Sequence, residues 1–181
     1  INMKKTSSIT QIVSRVDRVV HDMQIERGLS SGHITCVNGK FKESLKEQRL
    51  SLDISAKSFL QEINLASIKR ISVIQPYIKT FQTDYSSLNE LRDKIDAKTI
   101  TQEQAIKAYT QIIKNILNIT PKIAFLNYDR EISSNIATLS SLQHLKESLG
   151  QQRAYAIILI ENKGGSLEEY LNFAKLDGTQ G

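Results

Sequence analysis

The sequence predicts an all-α protein whose long antiparallel helices form one or two four-helix-type bundles. Apolar residues recur at steps of three and four along nearly the whole chain, which is the period of a helix face. Helix breakers are scarce, with eight glycines and two prolines in 181 residues. No stretch alternates as a half-buried strand does, and Ile71 to Ile74 is too short to pair. A hydrophobic content of 40% with 24% charged residues is that of an ordinary folded domain.

The first helix is expected from about Thr6 to Ser31, with Ile9, Val13, Val16, Val20 and Met23 as its buried seam. Gly32 to Gly39 then breaks it, and Asn38-Gly39 is the turn signal. A second helix carries Phe41, Leu45, Leu52, Phe59 and Ile63 on one face, with Gln48 in that seam and Arg49 beside it. Pro76 marks the start of a third, because proline is tolerated in a first helical turn. Its seam is Phe81, Tyr85, Leu88, Arg92 and Ile95. Thr101 can cap a fourth helix, with Gln104 three residues on completing a capping box. That helix reads Ala105, Tyr109, Ile112, Ile116 and Ile119, with a kink at Pro121. A fifth, from about Asp129 to Asn162, has Leu139, Leu142, Leu149, Arg153, Ala156 and Ile160 as its predicted seam. Gly164-Gly165 ends it, and Ser166 can cap a last short helix.

Several function classes drop out at this stage. Cys36 is the only cysteine, which leaves neither an intrachain disulfide nor a cysteine metal site. His21, His33 and His144 lack ligand spacing, so no metal and no cofactor is expected. Ser30-Ser31 with His33 nearby lacks an orienting group, the glycines form no phosphate-cradling loop, and Glu26 and Glu147 do not read as a catalytic carboxylate pair. The chain is therefore not expected to be an enzyme. The net charge of +5 would suit an anionic partner, but lysines and acids alternate and no run of like charge appears, so no nucleic-acid partner is expected. No apolar run is long enough to cross a bilayer. The opening Ile1-Asn2-Met3 reads as the start of a domain cut from a longer protein.

What stands out is arginine where an apolar residue belongs. In the first seam the position after Met23 is Arg27, followed by Ser30. In the fifth, Arg153 takes an apolar place, and Arg92 and Arg49 do so less sharply. A guanidinium keeps its proton, so burying it demands an anionic or carbonyl partner, supplied by the protein or by a bound anion. Its paired N–H donors match a planar oxyanion in a way lysine cannot. Two arginines on facing helices would clamp a small trigonal anion, and the small residues Gly28, Ser30 and Ala154 would let those helices approach. The competing reading is a helical interaction or scaffold bundle, in which Arg27 pairs with Glu26 or with an acid on a neighbouring helix.

The stretch Gln24-Ile25-Glu26-Arg27-Gly28-Leu29-Ser30 resembles the Q-x-E-R-G-L-S signature of the NIT family, the nitrate- and nitrite-sensing domains of bacterial signalling proteins. Gly39-Lys40-Phe41, Leu45, Gln48-Arg49 and Asp53 are similar to that family's second helix. Leu88, Leu91-Arg92 and Ile95-Asp96 are similar to its third, and Ala105 with Tyr109 to its fourth. Lys146-Glu147-Ser148-Leu149-Gly150-Gln151-Gln152-Arg153-Ala154 resembles its K-E-x-x-G-x-E-R-A segment, with Gln152 where the family usually has glutamate.

The resemblance implies a single helical sensor over residues 1–181 that holds nitrate or nitrite between Arg27 and Arg153, with Arg92 and Arg49 as secondary ligands. Another small anion, such as a carboxylate, is the alternative ligand. The family occurs in chemoreceptors, histidine kinases, cyclic-dinucleotide enzymes and a transcription antiterminator. That distribution implies a homodimer and a helix shift passed to an output module. It also implies an extracytoplasmic position in an inner-membrane receptor used in chemotaxis or related signalling, with a cytoplasmic sensor as the alternative. Membrane spans and C-terminal return helices would then lie outside this stretch.

Overall fold

A computed structural model describes residues 2–36, 38–125 and 130–161, and these are helical nearly throughout, with no strand among them. Among the described residues seven α-helices follow in order: α1 (Asn2–Thr35), α2 (Lys42–Ile63), α3 (Ala66–Lys69), α4 (Gln75–Asp96), α5 (Gln102–Leu117), α6 (Ile119–Ala124) and α7 (Arg130–Glu161). A single 3-10 turn, Ser72–Ile74, leads into α4. The expected all-α architecture is the one observed. The predicted glycine stop after Asn162 and the short helix after Ser166 lie outside the described residues.

The first seam is buried as predicted, with Ile9, Val13, Val16, Val20 and Met23 all within the core. The predicted end of that helix is wrong, because α1 continues through Gly32 to Thr35. Gly32 serves packing instead. A Cβ there would stand 2.9 Å from the Phe41 ring, so only glycine lets that ring seat on α1 at the corner into α2. Pro76 lies in the first turn of α4. Thr101 caps α5 in a reciprocal capping box with Gln104, satisfying two backbone donors left over at a helix start. The α5–α6 break falls at Asn118 rather than at Pro121, and Pro121 lies inside α6.

Helices α1, α2, α4 and α5 share one hydrophobic core, in which Phe59 meets Phe81 edge to face at 5.2 Å and Phe81 stacks on Tyr85. The cross-contacts give the register. Arg49 pairs with Asp96, and Tyr85 with Asp53, so α2 and α4 are antiparallel. Gln102 reaches Ser31 and Arg27 reaches Thr110, so α1 and α5 are antiparallel too. Helix α7 packs on α1, α5 and α6. Its Gln143 meets Asp17 and its Glu147 meets Gln24, which makes α7 parallel to α1.

The predicted seam of α7 is overturned. Leu139, Leu142, Leu145 and Leu149 are exposed, as is Arg153, and Leu142 keeps 56% of its surface. The buried face is Ile136, Ser140, Gln143, Glu147, Gln151, Tyr155 and Ile158. These residues recur at steps of three and four as well, but most of them are polar. The side of α1 they meet is itself polar, presenting Asp17, Gln24 and Arg27.

Candidate anion site and the buried charge clusters

Consecutive residues on a helix point about 100° apart, so Glu26 and Arg27 of α1 enter two different environments. Each finds a buried partner of opposite charge.

Glu26 is fully buried and Arg92 is 7% exposed. Arg92 grips the carboxylate in a fork, Nε to Oε1 and Nη2 to Oε2, both at 2.8 Å. Tyr109 donates its hydroxyl to Oε1 at 2.7 Å, and Ser30 donates in turn to the Tyr109 oxygen at 3.3 Å. Arg92 also donates from Nη1 to Asp53 at 2.9 Å. Burial works against the Arg92 charge, but hydrogen bonds and attraction from Glu26 and Asp53 outweigh it and hold the group above its ordinary pKa. Burial, then the Glu26 charge, pushes the Tyr109 hydroxyl up, and burial with Asp53 raises Tyr85 to about 12. Both phenols therefore stay neutral donors at ordinary pH. Arg49 stands 3.8 Å from Glu26 and makes a two-pronged bond to Asp96 at 2.7 and 2.9 Å.

Arg27, 3% exposed, turns toward α7 and binds Glu147, also 3% exposed, through both terminal nitrogens. Thr110 accepts from Arg27 at 2.8 Å. Gln24 and Gln151 each donate to Glu147, at 2.9 and 2.8 Å. A Cβ on Gly150 would sit 3.0 Å from Arg27 Nη2, so this glycine gives the guanidinium its room. Beside the pair lies a cavity of about 420 Å³ lined by Gln24, Arg27, Lys146, Gly150 and Arg153 together with Leu142, Leu145 and Leu149.

The structure thus divides the predicted site residues. Arg27 and Arg153 border one cavity, although Arg153 comes to it from the exposed face of α7 rather than from a buried seam. Arg92 and Ser30 belong to the Glu26 cluster, and Arg49 lies between that cluster and Asp96. Gly28 is exposed, and a Cβ there would meet nothing within 4 Å, so it does not serve close helix approach as predicted. Sequence reasoning offered Arg27 either Glu26 or an unnamed acid on a neighbouring helix; the acid is Glu147 of α7, and Glu26 pairs with Arg92 instead. Gln24, Thr110, Gly150 and Gln151 were not singled out as site residues. A signal was present in α7, where Ser140, Gln143, Glu147 and Gln151 repeat at helical spacing as a polar stripe.

The family model for nitrate and nitrite sensing, NIT, matches residues 18–181. The chain belongs to the NIT family. A curated relative, the nitrate regulatory protein of Klebsiella oxytoca, is 25% identical over 144 residues, covering 79% of this chain and 36% of the relative. The solved structure of the NasR transcription antiterminator superposes with a TM-score of 0.88 at 22% identity, covering 97% of this chain and 48% of that one. This NIT chain therefore shares the NasR fold while spanning about a third to a half of the length of these relatives. Neither relative is named as a receptor. Among the described residues no helix is long and apolar enough to cross a membrane.

Proposed function

We propose that this NIT domain is a non-enzymatic sensor that takes nitrate or nitrite into the cavity between α1 and α7. The observation that carries the reading is the meeting of Arg27 and Arg153 at one cavity from helices far apart in sequence. With Lys146 the cavity edge carries three cations against the single carboxylate of Glu147, an excess that suits a small anion. Arg27 offers the planar donor geometry a trigonal oxyanion needs. Arg153 and Lys146 both lie on the outer side of α7, where Lys146 stands 3.4 Å from His21 Nδ1, and three half-exposed leucines give the cavity an apolar rim beside them. Anion binding would draw charge on α7 toward α1, and the resulting shift would pass to an output module. The relatives' names, a nitrate regulatory protein and a transcription antiterminator, favour a regulator of gene expression as that output over a chemotaxis receptor. A homodimer is part of this reading.

One observation favours the second reading, a bundle with internally paired arginines: Arg27 already has Glu147. Calorimetric titration of the chain with sodium nitrate and then nitrite, in chloride-free buffer at constant ionic strength, separates the two. A sensor gives saturable heat that Arg27→Ala abolishes while helicity persists by circular dichroism. Absence of saturable heat in the parent chain, with loss of stability as the only effect of the substitution, would overturn nitrate and nitrite as ligands and favour the scaffold or a sensor of another small anion such as a carboxylate.

A further inference from the structure

A second cavity, of about 660 Å³, opens where the end of α1 meets the start of α2 and the end of α4. Lys42, Lys46, Arg49 and Lys98 line it, with His33 alongside, against two carboxylates, Glu43 and Asp96. Four permanent cations facing two acids leave an excess of two positive charges, with the histidine neutral. Arg49 is already committed to Asp96 in a two-pronged bond. Lys42 and Lys46 are exposed and form no ion pair with a carboxylate among the described residues.

Two further features give the cleft a preference for anions. Phe41 stands at the N-cap of the 22-residue helix α2 and offers no side-chain acceptor; the Lys42 N–H is taken by the Gly39 carbonyl at 3.0 Å, which leaves the Glu43 and Ser44 N–H groups at the positive end of that helix uncapped among the described residues. Nδ1 of His33 is buried without a hydrogen-bond partner. Asp96 reports the resulting field, since the hydrogen bond from Arg49 first, and then, against the opposing effect of burial, the charges of Arg49 and Lys42, hold its carboxyl below the usual range.

We propose that this cleft is a second anion site, taking a small multiply charged ligand of the phosphate class. Lysine ammonium groups act as mobile point charges that suit a tetrahedral dianion, whereas the nitrate cavity presents a planar fork. The cleft is of a size that holds small ligands, and its lining includes no Phe, Tyr or Trp on which a base would stack. The phosphate groups themselves would therefore carry the recognition.

The probe is pyrophosphate, titrated calorimetrically into the chain at constant ionic strength, with inorganic phosphate and a short single-stranded RNA as parallel arms. Saturable pyrophosphate binding is expected. It should weaken by roughly tenfold or more in the double variant Lys42→Ala/Lys46→Ala, and persist in Arg27→Ala and in a control that removes the exposed Lys57 and Lys79. Equal affinity in the Lys42/Lys46 variant, or loss in Arg27→Ala, would overturn the proposal by placing the ligand elsewhere. RNA binding without pyrophosphate binding would overturn it in favour of a polyanion surface, and so would the absence of heat with every probe. Because both lysines are exposed, the variant is expected to fold, and a far-ultraviolet spectrum matching the parent's verifies that.

Discussion

The two buried arginine–glutamate pairs of this domain have nearly the same chemistry and opposite settings. Arg92 and Glu26 sit among α1, α2, α4 and α5, and Tyr109 and Asp53 take up much of their remaining hydrogen-bonding capacity. Arg27 and Glu147 are as deeply buried, yet their neighbours on α7 line an opening beside two further cations. The first pair holds helices together with little room for a newcomer. The second borders a cavity of about 420 Å³, where under the proposed function a bound anion would compete with Glu147 for Arg27. Burial is alike in the two pairs, and the difference lies in what surrounds each arginine.

The largest effect is expected from opening the enclosed pair. Glu26→Ala leaves Arg92 without its main partner in a dry site and should lower stability by about 3–5 kcal/mol, read by urea unfolding. The fraction that remains folded should still bind nitrate. A variant that keeps parental stability would show that Arg92 has readier access to water than its burial implies.

Next in size, Glu147→Gln removes the internal competitor of Arg27 while keeping a hydrogen-bonding group. Nitrate affinity should rise by about three- to tenfold, and nitrate should raise the melting temperature of the variant more than that of the parent. Unchanged affinity would mean that Glu147 and the anion occupy different edges of the guanidinium. Gly150→Ala is subtler. Its new methyl would press on Arg27 Nη2 from 3.0 Å and should weaken nitrate binding by about two- to fivefold. Stability should hold or rise, because alanine is the better helix former by roughly 1 kcal/mol. Nitrate calorimetry paired with thermal melting tests both halves of that expectation.

The smallest effect concerns Asp96. Its pKa is lowered in the folded state, chiefly by hydrogen bonding from Arg49. The stabilisation is therefore present above the ordinary carboxylate pKa and disappears as pH falls through the lowered value. Asp96→Asn should lower the melting temperature slightly near neutrality, where the paired carboxylate contributes, and flatten the profile below about pH 4, where variant and parent converge. A profile that superposes on the parent's would show that the Arg49–Asp96 bond contributes nothing measurable.

Much of the frame was legible because its signals are local. The α1 seam, the capping box at Thr101 and the proline in the first turn of α4 each follow from residues a few positions apart. Arg27 was legible for the same reason, as a break in an otherwise apolar stripe. Helix α7 was not, since its leucines face outward and a polar stripe of Ser140, Gln143, Glu147 and Gln151 faces inward. Periodicity locates a helix and its faces, but which face turns inward depends on the neighbour it meets. Here that neighbour is the polar side of α1, a matter of tertiary pairing that no window within α7 records. Gly32 misled in the same way, as a stop signal locally and a seat for Phe41 in three dimensions.

The adjacency of Glu26 and Arg27 in the chain has a mechanical corollary. One carboxylate and one guanidinium, bonded to different helices, share a single backbone rotor whose angular setting both must accept. A torsion of α1 that draws Arg27 away from Glu147 carries Glu26 through the same arc against its fork with Arg92, which resists. The enclosed pair would thus oppose such a torsion, since turning α1 would stretch two 2.8 Å bonds in the core.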